Sequence, residues 1–172
     1  ALAFGPTLRD GLTAGATTPI GPPPGVRVKR SIRVGPPVLG RGYLEAVDPA
    51  ELARLEAEQA ARPDAIHGRR NRVPFASIPN PDPTYARYQT GEIVTGVLGL
   101  KARIATLDDF TADAFAGDMG LTTPMRPREP VNPDRLADDL RAGVDLDQAH
   151  IDQIAFYLRR VAIPPRSGLT DD

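Results

Sequence analysis

Residues 147–165 read DQAHIDQIAFYLRRVAIPP, and their spacing predicts an amphipathic helix. Asp147 stands where an N-cap carboxylate can accept the free N–H groups of a first turn, and Leu146 can staple onto Ile151 across it. Ile151, Ile154, Leu158 and Val161 fall three, seven and ten residues apart, which is one apolar stripe at helical period. Pro164-Pro165 removes two backbone donors and stops the helix. His150 falls in the first turn, where the helix dipole disfavours a cation, and its wheel neighbours are polar, so it reads as a surface residue.

Working outward, the same signals recur. Asn132-Pro133 opens an expected helix with Leu136 and Leu140 inward and Gly143 as its stop. Thr106, with Asp109 as its box partner, opens another in which Leu107, Phe110, Ala114 and Phe115 share a side until Gly117-Asp118-Met119-Gly120 breaks it. Asp48 caps a helix that has Pro49 at its first position and Glu51 closing the box, with Val47 stapled to Leu52. Leu52 and Leu55 give it a narrow apolar stripe, and Ala61-Arg62-Pro63 ends it. From Pro63 to Gly91 the prolines 63, 74, 79, 81 and 83 predict an irregular connection.

The first 40 residues hold 14 Gly or Pro, too many for a long helix or a central strand, and predict an extended arm. Within it Val26, Val28, Ile32 and Val34 alternate with basic residues, the pattern of a short half-buried edge strand. The fold class expected is therefore mainly α: a small helical module with long Pro/Gly-rich connections and a short β element. At 172 residues there is room for one domain with a real core, and with no Trp, 4 Tyr and 5 Phe that core is thin in aromatics. Three spans are expected: the arm at 1–32, the module at 33–166 and a tail at 167–172.

Composition removes whole classes of function. A net charge of -1 supplies no field for nucleic acid or an anionic bilayer. Zero cysteines remove from these residues any disulfide, thiolate metal site, Cys nucleophile, iron–sulfur cluster or thioether-linked haem. Two histidines make an all-protein zinc site improbable. Ile93–Leu100, the longest nearly apolar stretch, falls far short of the roughly 20 residues that cross a bilayer. Residue 1 is Ala rather than Met, which implies processing, trimming or a start elsewhere. Gly40-Arg41-Gly42 lacks a preceding buried strand and reads as a turn, and phosphate-loop, zinc-protease and nucleophile-elbow strings do not occur.

A few residues could carry chemistry, each with a plainer alternative. Glu45 is the one carboxylate in the otherwise apolar GYLEAV run (42–47); burial would raise its pKa toward general-acid use, whereas an Arg partner or a cap is the simpler fate. His67, beside Arg69, Arg70 and Arg72, would resist protonation and could act as a ligand or relay, or could simply bond to backbone. Those arginines could fork onto a carboxylate or propionate, or form a solvated loop. Met119 could be a soft axial ligand to iron or fill a gap at a helix end.

Four strings now coincide in order: RVGPPVLGRGYLEAV (33–47), HGRRNRV (67–73), GVLGLKARIATLDDFTADAFAGDMGLTTPM (96–125) and IDQIAFYLRRVAIPPR (151–166). Together they resemble the di-haem oxidoreductases, peroxidases or thiol oxidoreductases related to bacterial di-haem cytochrome c peroxidases. The resemblance implies a mostly helical, periplasmic or extracytoplasmic protein with two c-type haems, each attached through CxxCH. Only the stretch between those two motifs is matched, and neither motif is present. The chain also carries Val97, Leu98 and Leu100 where the family usually has Arg, Phe and Trp, and an aliphatic Leu100 has no accessible redox state for relaying electrons.

These departures lead to the expectation of a haem-free, non-catalytic accessory or structural subunit. It would carry no cofactor of its own and dock on a protein complex of electron-transfer or membrane-associated subunits. The alternative is the middle segment of a di-haem peroxidase-like enzyme, with c-type haem bound outside these residues. In that case Glu45 would be the acid, Met119 and His67 candidate iron ligands, and Arg69, Arg70 and Arg72 propionate or substrate contacts. A stand-alone small-ligand module is the third reading.

Overall fold

The computed structural model describes residues 12, 14–22, 24–25, 27–32, 34–75, 88–129, 131–135 and 142–165. Among them the chain forms α1 (Arg41–Glu45), α2 (Pro49–Ala60), β1 (Arg72–Pro74), β2 (Ile93–Thr95), α3 (Leu107–Ala114) and α4 (Gln148–Arg160). A π-helical turn over Phe115–Met119 extends α3. The mainly α class holds. The strands pair antiparallel, Val73 opposite Val94, and Pro74 is tolerated because a two-stranded ribbon consists of edges alone.

Three of the helix starts stand where their caps put them. Asp48 accepts from Ala50 N–H at 2.9 Å, Thr106 from Asp109 N–H at 3.4 Å and Asp147 from His150 N–H at 3.1 Å. Caps of this kind satisfy donors the helix cannot satisfy itself. The expected helix after Asn132 has Leu136 and Leu140 outside the described residues; Pro133-Asp134 form a turn.

The core lies where α3 and α4 meet the Leu98–Ile104 loop. Leu98, Ile104, Leu107, Ala155 and Leu158 form its centre, and Ala112, Met125 and Ile151 extend it. Val73, Phe75, Val94 and Ala105 pack the ribbon, with the rings of Phe75 and Tyr88 5.4 Å apart. The short α1 reaches this core through two glycines. Gly40 takes φ 73°, the left-handed turn that starts the helix, and a Cβ on Gly42 would lie 2.2 Å from the Arg159 carbonyl oxygen. Of Gly40-Arg41-Gly42, expected as a turn, only Gly40 is one: Arg41 and Gly42 open α1, and Gly42 lets it dock on α4.

Four expectations need correction. The edge strand over Val26–Val34 does not form among its described residues: Ile32 is 102 % and Val34 93 % exposed, and among the described residues no strand lies beside them to take up their backbone groups. The inward stripe of α4 is Ile151, Ala155 and Leu158, with Ile154 41 % exposed, because a step of four residues lies closer to one helical turn than a step of three and Ala155 is small enough to let α3 approach. The glycine-rich string after Ala114 does not end the helix at once; the backbone widens into the π turn and stops at Gly120. Finally, β1 lies inside the segment expected to be irregular.

Candidate functional site

Glu45 ends α1 and is 5 % exposed. Its Oε1 accepts from the Leu107 backbone N–H at 2.8 Å and from Arg159 Nη2 at 3.0 Å, and its Oε2 accepts from Arg159 Nε at 2.7 Å. Leu107 opens α3, so a side chain 62 residues upstream satisfies one of that helix's free donors. Arg159 also donates to Asp108 in the first turn of α3. Burial pulls the Arg159 guanidinium down, but its bonds to Glu45 and Asp108 outweigh that and hold it above its usual range. Beside this triad, Arg126 bridges Asp109 and the Met125 carbonyl. Burial pushes Asp109 up from the ordinary aspartate value while Arg126 pulls the other way.

A second feature lies on the other side of α1. A groove of about 370 Å³ runs between α2 and the Thr95–Ala102 segment, with Leu44, Val47, Leu52, Leu55 and Val97 on its walls. No residue of α2 is buried. Polar bonds hold the helix along one edge instead: Arg70 donates its Nε to Glu56 Oε2 at 2.7 Å and its backbone N–H to Glu56 Oε1 at 2.9 Å. His67 Nδ1–H donates to the Gln59 carbonyl at 2.5 Å, and Gly68 N–H to Gln59 Oε1 at 2.6 Å. Arg69 lines the groove, and Arg72 sits exposed on β1 with its charge acting on Glu56.

The structure thus places Arg69 and Arg70 on the lining of one groove, with His67 bonded to Gln59 of α2 rather than lining it. It does not join Glu45 to Met119. Glu45 caps the start of α3, whereas Met119, 62 % exposed, lies at the far end of the π turn that follows α3, beyond about 12 Å of α-helical rise. Of the three positions that depart from the resembled family, Leu98 is fully buried in the core, Val97 lines the groove and Leu100 is half exposed. Arg159, Asp108 and Arg126 were not singled out from sequence. A signal existed for the first: Arg159 follows the inward Ala155 by four residues, so a long cation borders the apolar face of its helix.

A covalently attached haem does not fit these residues. The chain has no thiol, and both imidazoles are exposed with Nδ1 bonded, His67 to Gln59 and His150 to Asp147 at 2.7 Å. Among the described residues no group of three His, Cys, Asp or Glu could hold a metal ion, and no helix is long and apolar enough to cross a membrane. No curated protein and no solved structure matches the chain. One family model does, described as "Di-haem oxidoreductase, putative peroxidase", over residues 26–172. With most of its length matched, the chain belongs to the di-haem oxidoreductase family.

Proposed function

We propose that these residues form a haem-free, non-catalytic module of the di-haem oxidoreductase type, kept for its contacts with an extracytoplasmic electron-transfer assembly. The observation that carries this reading is the state of Glu45. The residue best placed by sequence to be an acid is committed to three N–H donors, two of them on a guanidinium, and bridges α1, α3 and α4. A carboxylate so bonded ties three helices together and anchors the fold. Tyr43, Phe156, Tyr157 and Ile163 on α1, α4 and the segment after α4 stay more than half exposed, which suits a surface that meets a partner.

The test is made on protein from its native source. Intact mass is recorded under denaturing conditions and the Soret region is read on the same sample. A polypeptide without Soret absorbance that travels with a larger complex is the expected result. A heavier polypeptide that keeps a Soret band after denaturation would overturn it and make these residues the bridge between two haem-binding parts of one enzyme.

A further inference from the structure

The groove beside α2 poses a problem that the accessory role does not answer. A 12-residue helix normally buries an apolar stripe against its own domain, yet Leu52 and Leu55 of α2 face a space that nothing in the described residues fills. The helix is held off the body by its polar stitching to residues 67–70, and the gap left is of ligand size, within the roughly 300–1,000 Å³ of known small-molecule sites. Apolar walls in contact with water favour an apolar guest.

One edge of the groove is cationic. Arg70 is balanced by Glu56. Arg69 lines the same space with no hydrogen bond or ion pair of its side chain to any described residue, and Arg72 adds a further positive charge near Glu56. A planar guanidinium without a partner, at the rim of an apolar trough, matches a carboxylate in two parallel bonds.

We propose that this groove binds an amphipathic monocarboxylate, its aliphatic body between α2 and Val97 and its carboxylate on Arg69. This stands independently of whether the module is an accessory subunit, since neither the triad nor the α4 surface takes part.

Decanoate and decanol, below their aggregation limits, are the probes, with affinity from calorimetry and location from methyl resonances of Leu52, Leu55 and Val97. Decanoate is expected to bind and shift those methyls, and decanol to bind on the order of tenfold more weakly, the ratio that one charge-assisted contact of about 1.4 kcal/mol would give. Arg69→Gln should bring decanoate down to the level of decanol while leaving the thermal midpoint unchanged, because Arg69 is exposed. Val97→Trp, which fills the trough, should abolish both. Equal affinity for the two probes, indifference to Arg69→Gln, or shifts confined to other methyls would each overturn the proposal, as would no binding at all.

Discussion

The seam between α3 and α4 and the outer helix α2 are held by opposite means. At the seam, Leu107, Ala112, Ile151, Ala155 and Leu158 are buried and a charged triad is sealed among them. Along α2 nothing is buried, and the bonds are ion pairs and hydrogen bonds at a half-wet edge. The seam gains from excluding water, so its charges are bonded within the protein rather than to solvent. The edge of α2 exchanges protein bonds for water bonds at little cost. One chain thus contains a water-excluding seam and a helix held by exposed polar bonds, and the groove runs along that helix.

The largest effect should come from breaking the seam. Arg159→Ala removes the guanidinium that two buried carboxylates, Glu45 and Asp108, share, and removal of one partner from such a pair costs about 3–5 kcal/mol. The loss should appear as a lower urea midpoint with the whole cooperative transition displaced. A variant that unfolds near the parent midpoint would mean that water reaches the triad. At α2 the corresponding change is smaller. Asp48→Ala removes the cap on Ala50 N–H and should cost about 1 kcal/mol. Because no residue of α2 is buried, that cost should be read as faster amide exchange in residues 49–60 with the global midpoint almost unmoved.

How much of this was legible in the sequence follows the same division. Capped helices write themselves locally: Asp48, Thr106 and Asp147 each sit within three residues of the N–H they accept, so α2, α3 and α4 could be read directly. The triad could not. Glu45 and Arg159 are 114 residues apart, and no local rule pairs them. The alternating arm failed for a related reason. Alternation at Val26–Val34 shows that a strand would be half apolar, but a strand also needs a neighbour, and the ribbon formed instead between 72–74 and 93–95. Sequence placed Arg69, Arg70 and His67 close together, yet only the fold shows that Glu56 and Gln59 of α2 meet them and leave Arg69 on the groove.

The subtlest test of the contrast is acid. Hydrogen bonds from the Arg70 side chain and backbone hold Glu56 below its usual value of 4.5, against a weak opposing effect of burial. A carboxylate depressed in the folded state stabilises it above the unfolded pKa and loses that contribution as pH falls from about 4.5 toward the lower folded value. Asp109 behaves in the opposite sense. Burial raises it above 3.8, so the folded chain holds that proton more tightly than the unfolded one. Its charged form is a penalty at neutral pH, and the penalty fades as pH falls through the raised value. Acid should therefore loosen α2 while easing the start of α3. Amide exchange, corrected for its intrinsic pH dependence and followed from about pH 6 to about pH 3, should show protection falling in residues 49–60 and holding in 107–114. Glu56→Gln should reduce the pH dependence of the first segment only, the remainder resting on Glu51, which the Arg54 hydrogen bond also holds below 4.5. If both segments lose protection together, α2 and the seam form one cooperative unit, and the groove between them cannot open without unfolding the core.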